Sequence, residues 1–165
     1  MGSGKTTVGR RLADRLGWEF RDSDAEVELR VGRSIPELFA GGDEPLFRRL
    51  EAECVDELAS NGRQRVISTG GGWGADPDRV AGLPSGTTSI WLKVSPEVAI
   101  RRASGEGPSR PLLSGPDPER IARTLLESRT PGYAAAEHHV ETDGVDPDDL
   151  VDRILGALAL SEPEL

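Results

Sequence analysis

Three polar clusters in the sequence carry residue types suited to holding a polyphosphate beside a reacting group. The first is Gly2-Ser3-Gly4-Lys5-Thr6-Thr7. Glycines let backbone N–H groups close on an anion, and the positive end of a following helix adds to the attraction. In such a loop Lys5 would reach β and γ phosphates and the Thr6 hydroxyl would ligate Mg2+. The second cluster is Asp22-Ser23-Asp24, two carboxylates that an extended segment would point to one side. The third is Gly70-Gly71-Gly72, backbone that a ligand can approach closely. Each also has a plainer reading: the first fits a glycine-rich turn, and Asp24 fits a cap for a helix beginning at Ala25.

The first cluster stands in an odd place. A phosphate loop of the form GxxxxGK[ST] follows a buried strand and has a glycine five positions before its Gly-Lys pair. Here that glycine would fall two residues ahead of Met1. A chance match would have no reason to be followed by an amphipathic helix and an acid-tipped strand, so a whole motif is expected, with its first strand missing from the chain.

The elements that must position these clusters alternate between helical and strand patterns, as in a parallel α/β sheet. A helix is expected over Thr6 to Leu16, with apolar residues at Val8, Leu12, Ala13 and Leu16 and Gly17 as its stop. Strands are expected over 18–21, 65–68, 88–94 and 140–142. Further helices are expected over 25–31, 35–40 and 45–60, from Pro96, and over 147–160. The Gly-, Pro- and Ser-rich stretch 104–118 reads as a mobile loop within one domain spanning 1–165. Every polar cluster then follows the C-terminal end of a strand or opens a helix, the edge where open α/β sheets bind ligands.

Composition excludes several classes. A chain of 165 residues can bury about 70% of its unfolded surface without staples. The single cysteine, Cys54, lies in a helical pattern as a small buried residue. A net charge of −9 disfavours nucleic acid and anionic membranes. With no apolar run of membrane-spanning length and no signal peptide, a cytoplasmic protein is expected.

The succession GSGKTTVGRRLA, DSDAEVE, GRSIPELFAGGDEPLFRRLE, STGGG, RPLLSGPD and ESRTPGY resembles the shikimate kinase family, in the family's order and over essentially the entire chain. The resemblance implies a P-loop fold of the nucleoside-monophosphate-kinase type, three-layer αβα, with a five-stranded parallel sheet whose central first strand ends in the phosphate loop. It implies ATP-dependent phosphorylation of the 3-hydroxyl of shikimate with Mg2+, by a monomer whose lid spans about 104–118. Carried over to this sequence, Asp24 is the candidate base and a shikimate contact, with Lys5 and Arg110 the other catalytic candidates. Asp22 and Thr6 would hold Mg2+. Gly2, Ser3, Gly4, Lys5, Thr6, Thr7 and Arg110 would bind the phosphates, with Arg102 and Pro147 flanking adenine. Arg48 and Arg129 would grip the shikimate carboxylate, a task for which a planar guanidinium suits better than an ammonium. Gly71, Gly72, Phe39 and Phe47 would line the same pocket.

Two positions depart from the family pattern. Trp73 stands where a small residue is usual, so the pocket floor is altered or the ring packs outward; Gly132 replaces a larger residue and would loosen a helix start. Two other readings stand beside the first. One is a related small-molecule kinase, which a neutral substrate would leave without need of Arg48 and Arg129. The other is a catalytically silent regulatory paralogue, against which the set Lys5, Asp22, Asp24 and Arg110 argues.

Overall fold

The structure is a computed structural model and describes residues 2–103 and 117–159. Arg110 and nearly all of the segment expected as a lid lie outside those residues.

Helix α1 (Lys5–Leu16) forms where the apolar spacing predicts it, burying Val8, Leu12, Ala13 and Leu16. Gly17 ends it in the left-handed region at φ 64°, its amide turning back to the carbonyls of Ala13 and Asp14. Strand β1 (Glu19–Asp22) follows, then helices α2 (Ser23–Val31), α3 (Ile35–Ala40) and α4 (Glu44–Ser60). Ser34 and Glu37 form a reciprocal capping box at the start of α3. Strand β2 (Arg65–Ser68) leads through the triple glycine to a 3-10 turn and helix α5 (Pro77–Ala81). Strand β3 (Ile90–Lys93), helices α6 (Pro96–Ala103) and α7 (Pro118–Tyr133), strand β4 (His138–Glu141) and helix α8 (Pro147–Leu158) complete the order.

The strands pair as two parallel ladders. β1 runs beside β2, from Glu19 opposite Arg65 to Asp22 opposite Ser68. β3 runs beside β4, from Ile90 opposite His138 to Lys93 opposite Glu141. Among the described residues β2 and β3 do not pair, and a cavity of about 660 Å³ touches both. This explains an otherwise odd burial pattern: the residues of β3 and the first three of β2 are only half-buried.

Apolar contacts gather in three groups. Val8, Leu12 and Leu16 of α1 pack with Val140 and with Leu150, Val151, Ile154 and Leu155 of α8. Val27, Leu38, Phe47 and Cys54 join α2, α3 and α4, so Cys54 is the buried small residue its pattern implied. Val55, Trp73 and Val80 form the third.

Both departures from the family pattern resolve. Trp73 is buried against Val55 and Val80, so its ring does not pack outward. Gly132 lies at the end of α7 rather than at a helix start. A Cβ there would strike the backbone of Ala75, so glycine allows α7 to close on the 3-10 turn instead of loosening the helix.

Candidate active site

The loop Gly2–Gly4 delivers the chain into α1 with Gly2 and Gly4 in the left-handed region, at φ 68° and 84°, conformations that L side chains rarely adopt. Helices α2, α3, α5, α7 and α8 each start on an aspartate or serine whose side chain accepts a backbone N–H of the first turn. α1 starts on Gly4 with no such cap. A helix N-terminus reached through glycines and left without a side-chain acceptor is built for an external anion.

Thr6, on the first turn of α1, donates its hydroxyl to Asp22 Oδ2 at 3.2 Å. The other carboxylate oxygen, Oδ1, accepts the Asp24 amide at 3.1 Å and caps α2. This corrects the expected local geometry. Asp24 does not share an extended segment with Asp22 and does not cap the helix; Asp22 caps it, α2 begins at Ser23, and Asp24 sits in its first turn. A hydroxyl and a carboxylate side by side, both oxygen donors, fit Mg2+, which keeps most of its waters and takes few protein ligands.

Asp24 is half-buried, and its Oδ1 has no hydrogen-bond partner. Burial first, then the neighbouring Asp22 charge, push its carboxyl above the usual range, while Lys5 and Arg48 pull it down. A carboxylate with a raised proton affinity can take a proton from a hydroxyl placed beside it.

Arg48, on α4, is held from several directions. Nη1 donates to Glu51 and Nη2 to Glu44, both at 3.1 Å. The guanidinium lies 5.0 Å from the ring centre of Phe47 and 5.7 Å from that of Phe39. A Cβ at Gly72 would collide with this guanidinium, and one at Gly70 with the Glu51 carboxylate. The triple glycine thus leaves room for charged groups reaching over from α4, a use the sequence reading did not assign to it.

Two further residues of the site were missed. Glu51 is fully buried; burial raises its pKa, opposed mainly by Arg48, and Oε1 is without a partner. The signal was present: Glu51 falls on the apolar stripe of Phe47, Cys54 and Val55, where a charge needs a reason. Tyr133 donates to the Gly71 carbonyl at 2.5 Å. Burial raises its phenol, and the nearby Arg129, then Arg48, lower it. Tyr133 lies one helical turn beyond Arg129, and both arginines are close enough to act on its phenol.

Arg102 binds the loop rather than standing open to a ring. It donates to the Gly2 carbonyl at 3.3 Å and to the Thr142 carbonyl at 2.9 Å. Pro147 opens α8, and no described contact joins it to the loop. The structure thus brings Asp24 and Arg48 to the glycines of 70–72, with Lys5 and Arg129 lining the same cavity as Gly70 and Gly71, and with Phe39 and Phe47 against Arg48.

A parallel α/β fold with an uncapped Gly-Lys-Thr helix start, an acid pair and a facing arginine cluster defines the P-loop phosphotransferases of small substrates. The family model described as shikimate kinase matches residues 1–159. The shikimate kinase of Moorella thermoacetica is 49% identical over 144 residues, covering 87% of this chain and 82% of that protein. That of Caulobacter vibrioides is 43% identical over 158 residues, 96% of this chain and 78% of that protein. The solved structure of shikimate kinase from Acinetobacter baumannii in complex with shikimate superposes with a TM-score of 0.86 at 36% identity, covering 96% of this chain and 88% of that one. The chain belongs to the shikimate kinase family, whose members are ATP-dependent kinases.

Proposed function

We propose that this chain moves the γ-phosphoryl group of ATP to the 3-hydroxyl of shikimate, giving shikimate 3-phosphate and ADP, in the biosynthesis of chorismate and the aromatic amino acids. The choice of substrate is supported by two arginines near one phenol: Arg129 and Arg48 both lower the pKa of Tyr133, and Arg48 also lowers that of Asp24. Two cations near Tyr133, one of them also near the half-buried Asp24, suit a substrate with a carboxylate at one end and hydroxyls at the other.

The roles follow from position. Arg48 and Arg129 bind the acid group, with Phe39 and Phe47 backing Arg48 and Gly71 and Gly72 letting the ring approach. Asp24 orients the attacking hydroxyl and accepts its proton. Gly2, Ser3, Gly4, Lys5, Thr6 and Thr7 bind the phosphates, and Lys5 offsets charge on the transferring group. Thr6 and Asp22 would hold Mg2+, which would supply positive charge to offset that of the phosphates. Arg110 and the lid keep only the roles that the resemblance implies. Arg102 acts at the loop, and the adenine contact of Pro147 stays with the resemblance.

The fold reading is one three-layer domain over 1–165, with a central strand between β2 and β3 that enters the loop ahead of Gly2. The two unpaired strand edges support it. A cytoplasmic monomer without nucleic-acid or membrane partners accords with the net charge of −9, and no described helix is long and apolar enough to cross a membrane.

A coupled assay for ADP decides among these readings. ATP should be consumed only with both Mg2+ and shikimate present. Faster turnover of gluconate or a nucleoside monophosphate would move the chain to a related kinase, and no turnover of any of them would leave the silent reading.

A further inference from the structure

Three glycines in a row make a backbone with little to constrain it, at a place where a site needs fixed geometry. None of Gly70, Gly71 and Gly72 has a positive φ, so backbone conformation does not require glycine there. What requires it is room. A Cβ at Gly70 would lie 2.0 Å from Glu51 Oε1 and 2.9 Å from Asp24 Oδ1, and one at Gly72 would lie 2.2 Å from Arg48 Nη1. The segment is bare so that three charged side chains can close on it, and its rigidity has to come from elsewhere.

Two hydroxyls reach it from different helices. Ser23, fully buried at the start of α2, accepts the Gly70 amide at 3.1 Å. Tyr133, at the end of α7, donates to the Gly71 carbonyl at 2.5 Å. Both hydroxyls sit on held supports. Ser23 stands between Asp22, which caps α2, and Asp24, whose amide that cap engages. Tyr133 follows Gly132, which lets α7 close on Ala75, and its ring packs against Trp91 with 5.7 Å between centres.

The other backbone groups of the triplet show what is left for a ligand. The Gly70 carbonyl accepts the Trp73 amide, and the Gly72 carbonyl accepts that of Ala75. With Ser23 and Tyr133 included, every carbonyl and the first amide are engaged, whereas the amides of Gly71 and Gly72 have no partner among the described residues. A trans peptide turns its C=O and the next N–H in opposite directions, and no peptide here is cis. Holding the Gly71 carbonyl on Tyr133 therefore turns the Gly72 amide away from that side chain.

We propose that Ser23 and Tyr133 are positioning residues: their hydroxyls clamp the triple glycine as one unit and aim the amides of Gly71 and Gly72 at the substrate's acid group beside Arg48. The clamp rests on the proposed function only for the identity of that acid. Two amides add donors to the guanidinium without adding charge, and they help most when their directions are set before the ligand arrives.

The test uses the full chain and two variants that each remove one hydroxyl, Tyr133→Phe and Ser23→Ala. Each should raise KM for shikimate by roughly 5- to 20-fold, the range of one hydrogen bond. In both, kcat should stay within about threefold and KM for ATP within about twofold. Because both hydroxyls act on one unit, the double variant should raise KM by much less than the product of the two effects. Hydrogen exchange read by NMR tests the clamp with no substrate present. The Gly70 amide is bonded to Ser23 and not to Tyr133, yet Tyr133→Phe should speed its exchange by roughly 5- to 20-fold, since the unit has lost its other end.

An unchanged Gly70 rate in Tyr133→Phe would overturn the clamp, as would multiplicative KM effects or an equal rise in KM for ATP. A faster Gly70 rate with KM for shikimate unchanged would overturn the positioning role. Should the unaltered chain turn over a different acid, the substrate reading fails by itself, and the same KM comparison made with that acid decides the clamp. In a chain without turnover the Gly70 exchange rate decides it. If Ser23→Ala does not fold, Tyr133→Phe carries the decision, because it keeps the ring and its packing on Trp91.

Discussion

The two halves of the candidate site are built from different material. Around Arg48 the geometry is made by side chains: two carboxylates at 3.1 Å hold the guanidinium, and two aromatic rings lie against it. Around Lys5 it is made by backbone, with glycines at positive φ and a helix start that no side chain caps. Buried charges that constrain one another are specific and intolerant of change, because losing one partner leaves another uncompensated. A backbone loop binds any phosphate that fits, and its shape depends on the strand and helices that carry it. The first half should therefore decide which acid binds, and the second how well a phosphate is held.

The largest expected effects fall where the halves meet, at the two aspartates. Asp24→Asn keeps the size and removes the proton acceptor, so kcat should fall by about 10²- to 10⁴-fold, at the low end if the transition state is loose. Asp22→Asn should instead raise the Mg2+ concentration needed for half-maximal rate, since its partner Thr6 keeps only part of the ligand set. Steady-state rates measured across a Mg2+ series separate them: added metal should partly rescue Asp22→Asn and leave Asp24→Asn unchanged. Equal rescue of both would merge the two aspartates into one electrostatic site.

Next in size is a change to backbone that acts through a side chain. Gly72→Ala places a methyl group where the Arg48 guanidinium lies. Displacing one charge-assisted contact to the substrate carboxylate should raise KM for shikimate by roughly 10- to 100-fold, with kcat much less affected. Gly4→Ala, strained at φ 84°, should raise KM for ATP and leave that for shikimate near its starting value. If Gly72→Ala weakens both substrates alike, the division between the halves fails.

The buried carboxylates give the side-chain half a pH signature. Burial raises Glu51 and Asp24 above their ordinary values. Between the unfolded carboxylate value and the raised native one, the native state holds protons that the unfolded chain has released. Stability should therefore fall as pH rises through that window and level off above it. Urea denaturation at successive pH values should show this slope, and Glu51→Gln should reduce it while Asp24 maintains the remainder. An unchanged slope in Glu51→Gln would mean that Arg48 keeps Glu51 ionised throughout.

How much of this was legible in the sequence depended on whether the signal was local. α1 follows from its own apolar spacing and its closing glycine. β2 has the expected bounds and β3 falls within the expected 88–94, while β1 runs one residue later than expected and β4 begins at His138, where two histidines hide a strand pattern. α7 went unread although Ile121, Ala122, Leu125 and Leu126 carry helical spacing, because a Gly- and Pro-rich stretch precedes it and Pro131 lies inside it. Asp24 and Arg48 were singled out by motif, but the cap made by Asp22 depends on where β1 ends. Glu51 was missed because a single charge on an apolar stripe shows its purpose only once Arg48 and Gly70 are beside it. The role of Gly132 was beyond local reading altogether, since Ala75 is far away in sequence.

The smallest expected effect tests a disagreement between resemblance and geometry at Arg102. By resemblance this arginine flanks adenine. In the structure its guanidinium bonds the Gly2 and Thr142 carbonyls and the Thr142 hydroxyl, tying the start of the loop to the end of β4. These are hydrogen bonds at an exposed side chain, so Arg102→Ala should weaken ATP by only about 3- to 10-fold, the range of one modest hydrogen bond. What distinguishes the two roles is the ligand that loses affinity. A residue that positions the loop should weaken pyrophosphate, which lacks the base, as much as ATP, and should leave adenosine unaffected. A residue that packs on adenine should weaken ATP and adenosine and spare pyrophosphate. Calorimetric titration of the variant with all three ligands is expected to give the first pattern. The second would show that Arg102 leaves Gly2 when nucleotide binds, and that the loop keeps its shape without it.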